Sequence, residues 1–338
     1  MSSKTVIGLD VGRSAIKLAA AWSRAGESRQ HRLQFPSAVT PWFRLVSASD
    51  AERAREETVL LGDRSFFFGS TALLQGGDKM QSGLRDDWIY SDEHMALLLG
   101  ALQKAQAAGV PGIDRAELVV GLPGRLYAVS FDEYMNRVSQ VLPGRGVTVM
   151  PQPIGPFFSH LLDTHGREAR PELMGQVWAT IEIGQYTTDI CLVAEGQAIQ
   201  EKYASCNGMR VVAELLMRQL ARSRGISDLG LPEATQIMET GHMLIGGKPV
   251  SVEDELRASI EPLAREIQET ANQVLGSATL RRMHGLLVAG GGAQLLFHQL
   301  ATSWPQALLC QEPRFSVAEG FMRAGLMREN TPAEALAD

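Results

Sequence analysis

The sequence predicts a two-lobed α/β fold, and three observations carry that prediction. Val6-Ile-Gly-Leu-Asp-Val-Gly-Arg-Ser-Ala-Ile-Lys-Leu18 reads as an apolar strand, a carboxylate, a glycine turn with a hydroxyl, and a second extended run bearing a lysine. Trp178-Ala-Thr-Ile-Glu-Ile-Gly-Gln-Tyr-Thr-Thr-Asp-Ile-Cys-Leu-Val193 repeats the plan, with Asp10 aligned on Glu182, Gly12 on Gly184 and Lys17 on Asp189. Two copies half a chain apart indicate two similar lobes, not a solenoid. Finally, strand patterns alternate with helix patterns along the chain, as α/β layers require.

Length agrees, since 338 residues exceed what one core usually supports. A hydrophobic content of 45% with 21% charged residues is ordinary for a globular protein. The formal net charge of -6 argues against a large nucleic-acid-binding surface, so any DNA would be reached through an adaptor. Cys191, Cys206 and Cys310 are too scattered for a metal site and fit a reducing compartment. No apolar run approaches the ~18 residues of a membrane span. Met1-Ser-Ser-Lys4 leads straight into a strand without a signal-peptide core. A soluble, cytoplasmic protein without membrane contact is expected.

In chain order, Thr5–Leu9 and Ala15–Trp22 flank the first glycine turn. Alanine content alone would allow a helix for the second segment; the β-branched second copy, Thr187–Val193, favours a hairpin. Short strands are expected at Phe35–Val39, Thr58–Leu61 and Ser65–Gly69, with Gly62-Asp63 as a turn and Asp50–Glu57 as an exposed charged stretch. Asp92–Ala108 has helical spacing at Met95, Leu98, Leu99 and Leu102, with Asp92 as the expected cap. A buried strand over Ala116–Leu122, a helix over Phe131–Leu142, a strand over Val147–Met150 and a helix over Phe157–Thr164 follow. The polar stretch Asp163–Gly175 is the expected boundary. Strands at Val177–Ile183, Thr187–Ala194 and Ala198–Tyr203 open the second lobe, followed by helices over Met209–Arg224 and Val252–Ser277. Strand Gly285–Ala289, a glycine triplet, a helix to about Leu300 and a last helix over Ser316–Met327 complete it.

Several residues could carry chemistry. Asp10 closes a buried strand, where a carboxylate is costly unless something positive or hydrogen-bonding faces it. It can hold Mg²⁺ through water, with Ser14 and the turn amides at Gly12 and Arg13 on phosphate oxygens and Lys17 near the transferred group. The alternative is a plain hairpin turn; the second copy favours phosphate. In that copy, amides around Gly184, Gln185 and Tyr186 can approach a γ-phosphate, Thr187 and Thr188 can add donors, and Asp189 can orient a metal-bound water. Glu182, in the place of Asp10, is the second metal candidate, again through water. Taken alone, a Thr-Thr-Asp run is more often a β-turn with local hydrogen bonds. Gly290-Gly291-Gly292 after an apolar strand would let a ligand touch the backbone beside a helix N-terminus. The chain holds neither a P-loop nor a dinucleotide fingerprint. Gln152, in Met-Pro-Gln-Pro, can orient an attacking water, although an amide is no general base.

Taken together, Gly8–Leu18, Trp88-Ile-Tyr-Ser-Asp92, Gly121-Leu-Pro123, Val149-Met-Pro-Gln-Pro153, Thr187-Thr-Asp189 and Val288-Ala-Gly-Gly-Gly-Ala293 resemble the actin, heat-shock chaperone and sugar kinase ATPase superfamily. Trp-x-Tyr-Ser-Asp points within it to the ParM (StbA) plasmid-segregation family. The resemblance implies a duplicated, ribonuclease H-like ATPase fold with a nucleotide cleft between the lobes. Residues 1–165 would form the first, with an insertion at about 34–90, residues 166–315 the second, and helix 316–327 would return to the first. It implies Mg²⁺ with ATP (or GTP), hydrolysis coupled to the turnover of a helical filament, and plasmid segregation through a ParR-type DNA-binding adaptor. By carry-over, Asp10, Ser14 and Lys17 contact phosphate and metal, Gly184 and Thr187 the other phosphate side, and Gly290–Gly292 the nucleotide. Glu214 would reach the adenosine. The family's second loop reads Asp-x-Gly-Gly-Thr-Thr where this chain has Glu182-Ile-Gly-Gln-Tyr-Thr, and the ParM water-positioning glutamate is Gln152 here. Slow hydrolysis or a long-lived polymer is the expected consequence. A small-molecule kinase of the superfamily and a non-polymerising scaffold are the alternatives.

Overall fold

The computed structural model describes residues 4–24, 27–77 and 87–330. The chain divides into two compact units, one comprising the described residues up to Met174 together with those from Phe315 on, the other Gly175–Arg314.

In the first unit, β1 (Val6–Val11) is buried throughout and pairs antiparallel with β2 (Ala15–Arg24), which pairs with β3 (Glu27–Pro36). The hairpin reading of the alanine-rich segment holds for a packing reason. Ala19 and Ala21 face Ala318 and Met322, while Ala20 joins Ile7 and Leu9 on the other face, so small side chains let a helix lie directly on the strand. β3 escaped the sequence reading because Glu-Ser-Arg-Gln-His-Arg is an exposed edge with no apolar alternation.

β4 (Val39–Pro41), β5 (Thr58–Leu61) and β6 (Arg64–Phe68) form a small sheet of order β4-β6-β5. Gly62, at φ +63°, makes the turn that Gly62-Asp63 suggested. Phe66 and Phe68 enter the core under the main sheet; Phe67, on the opposite face, packs with Ala38, Ala54 and Ala72. The charged stretch after Ser47 is helix α1 (Ala48–Arg55), capped by Ser47 Oγ accepting from Asp50 N, and Gly69–Gln75 forms α2.

Helix α3 (Asp92–Ala107) corrects one detail. Its cap is Ser91, whose Oγ accepts from His94 N at 3.1 Å; Asp92 instead pairs with Arg64 and Arg137. β7 (Glu117–Leu122) leads into α4 (Gly124–Val141), which starts seven residues before the expected Phe131 because Pro123 and Gly124 open the helix instead of ending a loop. β8 (Val147–Pro151), a 3₁₀ turn over Gln152–Ile154 and α5 (Gly155–Leu161) follow; α5 ends short of Thr164.

A buried histidine marks this unit's core. His94 Nε2 lies 3.0 Å from the Tyr134 hydroxyl, and its ring meets Trp88 edge-on at 5.3 Å. Burial drives His94 from 6.5 down to about 3. A His depressed in the folded state contributes stability that is complete above its unfolded value and is lost as pH falls from there towards the folded value. Between about pH 7.5 and about pH 5.5, wild type should lose about 1 kcal/mol more than His94→Phe, read by denaturant unfolding. Equal losses would contradict a neutral, buried His94.

The second unit repeats the first. β9 (Val177–Ile183), β10 (Thr187–Ala194) and β11 (Gln197–Asn207) form an antiparallel set, followed by α6 (Met209–Arg224), α7 (Leu231–Thr240), the hairpin β12 (His242–Ile245) and β13 (Lys248–Ser251), and α8 (Glu253–Leu275). α9 (Ser277–Arg282), β14 (Gly285–Ala289), α10 (Ala293–Ser303) and β15 (Ala307–Leu309) complete it. The sheet order β11-β10-β9-β14-β15 matches β3-β2-β1-β7-β8 position for position. α11 (Ser316–Asn330) belongs to the first unit, against β1, β2, β7 and α5. α7 was not anticipated. On α6, Arg210 pairs with Glu214 and Arg224 with Glu255. Among the described residues, no helix is long and apolar enough to cross a membrane.

Candidate functional site

Cross-strand register gives the internal repeat its physical meaning. Asp10 faces Lys17 across β1–β2, and Glu182 faces Asp189 across β9–β10, each pair flanking a three-residue turn. The two turns are Gly12-Arg13-Ser14 and Gly184-Gln185-Tyr186.

In the first unit three separated residues meet at one carboxylate. Asp10, 4% exposed, accepts from Lys17 Nζ at 3.0 Å through Oδ2 and from Gln152 Nε2 at 3.0 Å through Oδ1. The desolvation cost of a buried carboxylate is thereby met on both oxygens. Gln152 reaches it because Gly121 leaves room: a Cβ there would lie 2.5 Å from Gln152 Cγ. Gly12 is equally confined, its Cβ position lying 2.7 Å from Ala15 O and 3.3 Å from Lys17 Nζ. Sequence reasoning missed Ser37, which donates from Oγ to Gly12 O and from its backbone N to Ser14 O, pinning the turn's carbonyls. Ser14 is exposed and Arg13 half-buried at the turn surface.

In the second unit Thr187 Oγ1 donates to Asp189 Oδ2 at 3.2 Å. Thr188 offers nothing to a ligand: it is fully buried, and its hydroxyl donates to Asn207 O at 2.8 Å. Gly184 N closes the turn on Thr187 O at 2.9 Å. Glu182, Gln185 and Tyr186 are half-buried, and the Arg210 guanidinium lies 6.0 Å from the Tyr186 ring centroid. Burial pushes the neighbouring Cys206 thiol up to about 11, with the Glu266 and Asp189 carboxylates adding to the effect, and Cys191 rises to about 12. Both stay protonated and unreactive at neutral pH.

The glycine triplet divides in two. A Cβ on Gly290, at φ +88°, would fall 2.4 Å from Ile183 O, and one on Gly292 2.5 Å from Met209 Sδ. Their amides donate to Pro313 O and Ile183 O. Close packing inside the unit therefore demands these two glycines, whereas Gly291 is exposed and has open space with Arg314 Nε 3.8 Å away. Glu214 accepts from Arg210 Nε at 2.9 Å and lies on a pocket of 360 Å³ lined also by Met217, Arg218, Ala221, Ile226 and Leu229. Among the described residues no group of three or more His, Cys, Asp or Glu forms a metal cage. Any cation would thus rest on single carboxylates with water and substrate oxygens, the mode Mg²⁺ prefers.

Two family models match the chain: the N-terminal domain of actin-like proteins over residues 8–155, and the C-terminal part of the archaeal actin homologue MreB-like family over residues 180–302. Among solved structures, the archaeal actin homolog Ta0583 is 20% identical, with 97% of this chain and 100% of that chain covered at a TM-score of 0.71. A 15-stranded ParM filament from Clostridium botulinum is 20% identical over 95% of this chain and 99% of that chain, with a TM-score of 0.69. A non-polymerising MamK mutant bound to AMPPNP is 17% identical over 95% and 98%, with a TM-score of 0.62. No curated protein matches.

Proposed function

We propose that this chain, similar to actin-like proteins over both of its units, binds and hydrolyses ATP to control a filament of its own copies that segregates plasmids or related mobile DNA. The observation that carries the reading is the Lys17–Asp10–Gln152 contact set, a cation, a carboxylate and an amide assembled at the mouth of a glycine turn. A structural hairpin needs none of them. Asp10, and in the second unit Glu182, would hold Mg²⁺ through water. When bound, the ion would neutralise charge on phosphate oxygens.

The chain's own residues do the rest. The pinned carbonyls of Gly12 and Ser14 keep acceptor oxygens away from an anion, which suits a turn that meets phosphate. Lys17 balances the charge that develops on the transferred group. Gln152, held by Asp10, orients the attacking water but cannot take its proton, so water displaces ADP from the γ-phosphorus in line without a strong base. Glu214, on its pocket beside Arg218, suits the adenosine. A DNA-binding adaptor of ParR type would link filament to plasmid, consistent with a formal net charge of -6.

Gln152→Ala should lower steady-state phosphate release about ten-fold, near 1.4 kcal/mol of transition-state stabilisation, while ATP affinity changes little. An unchanged rate would remove Gln152 from the chemistry. High-speed sedimentation with and without Mg-ATP, followed by electron microscopy, tests the whole reading. Nucleotide-dependent pelleting of filaments supports it. Acceptor phosphorylation by a discrete oligomer would indicate a kinase, and nucleotide binding without pelleting a scaffold.

A further inference from the structure

The turn Gly184-Gln185-Tyr186 is gripped from behind by the residues that start the next helix. Gly208 N donates to Tyr186 O at 3.1 Å, Met209 N to Gly184 O at 3.0 Å, and Arg210 N to Gln185 O at 2.7 Å. Every carbonyl of the three-residue turn is thus bound to one short segment. Gly208 is required there, because a Cβ would fall 2.6 Å from Gly184 O and 2.7 Å from Thr187 N.

Peptide planarity turns this into a statement about the amides. In a trans peptide the N–H of one residue points opposite to the C=O of the residue before it, and the described residues contain no cis bond. With the carbonyls of 184, 185 and 186 all directed at the start of α6, the N–H groups of Gln185, Tyr186 and Thr187 are directed away from it. Three successive amides turned to one side can meet an anion.

The grip is anchored at a distance. Asn207, immediately before Gly208, donates from its backbone N to Glu266 Oε1 at 3.2 Å and from Nδ2 to Oε1 at 2.8 Å and Oε2 at 3.1 Å. Asn207 O also accepts the Thr188 hydroxyl at 2.8 Å, tying the same residue to β10. Glu266 sits on α8, 59 residues further along the chain, and touches none of the turn's atoms in these contacts. We propose that Glu266, acting through Asn207, is a positioning residue that sets the amides of Gln185, Tyr186 and Thr187 for the terminal phosphate of the nucleotide. The proposal rests on the nucleotide reading above. It also accommodates Gln185: the turn meets phosphate with main-chain N–H groups, which a side chain at that position does not remove.

A purely structural role, such as a carboxylate near the start of α6, would act on the whole unit. The test separates the two with the full chain, using Glu266→Ala and Glu266→Gln. Hydrogen exchange of residues 184–189 and 207–210 is measured without nucleotide; affinities for ATP, ADP and adenosine are measured with Mg²⁺. Glu266→Ala should raise exchange in both segments and weaken ATP about ten-fold, with a smaller effect on ADP and none on adenosine. Glu266→Gln keeps one acceptor oxygen and should fall between. Unchanged exchange in Glu266→Ala, or equal weakening of all three ligands together with a lower melting temperature, overturns the proposal. A wild-type chain that binds none of the three overturns the nucleotide reading and the phosphate role with it, while a rise in exchange would still establish the grip.

Discussion

Asp10→Ala is expected to abolish ATP turnover, with phosphate release falling at least about 100-fold while the chain stays folded. The substitution strips the acceptor from two groups at once, Lys17 Nζ and Gln152 Nε2, each 3.0 Å from the carboxylate. Lys17 loses this ion pair, and Gln152 loses the contact to Asp10 Oδ1. The strand itself keeps its ladder, since Asp10 contributes backbone pairing to Lys17 whatever its side chain. Circular dichroism and a thermal melt distinguish lost chemistry from lost fold, and nucleotide-dependent pelleting should vanish together with turnover. Wild-type phosphate release in Asp10→Ala would remove this turn from the proposed nucleotide site.

Gly320→Ala should destabilise the first unit by about 3 kcal/mol, lowering its melting transition by about 10 °C. A Cβ at Gly320 would fall 1.8 Å from Gly155 O and 2.6 Å from Gly155 C, and one at Gly155 2.7 Å from Val317 Cα. These neighbours are backbone of α5 and α11, so no rotamer change can relieve the clash. Gly8 faces the same helix, its Cβ position 2.0 Å from Ala318 O. Gly325→Ala is the informative comparison. Its nearest neighbours, at 2.6 and 3.0 Å, are the methyl groups of Val6 and Val119, which can yield, so a smaller loss is expected. Differential scanning calorimetry of both variants reads the contrast; equal melting temperatures would mean that α11 does not lie this close to α5.

Much of the fold could be read along the chain because its signals are local. β1, β7, β9 and β14 are buried apolar runs, and α3, α6 and α8 carry helical spacing. The duplication was legible for a related reason: a carboxylate and a charged residue seven positions apart, with a glycine between, are what a two-stranded antiparallel turn needs to bring them face to face. What escaped was whatever depends on a partner distant in sequence. β3 is a strand only because β2 offers it an edge. The α4 start shifted because Pro-Gly can open a helix as readily as end a strand.

The candidate site divides along the same line. By itself the sequence determined two turns of one design, each with its carboxylate and its glycine, whereas the repeated strand order of the two sheets emerged only from the structure. Tertiary structure alone decided which residues gather around those turns. Gln152 comes to Asp10 from 142 positions away, Ser37 pins the first turn's carbonyls, and Glu266 anchors the second from α8. It also decided that Gly290 and Gly292 serve packing against Ile183 and Met209, while Gly291 stays open. The physical reason is the range of the forces involved. Hydrophobic periodicity and turn chemistry are written within a few residues, whereas hydrogen bonds and close backbone contacts are short in space and indifferent to separation along the chain.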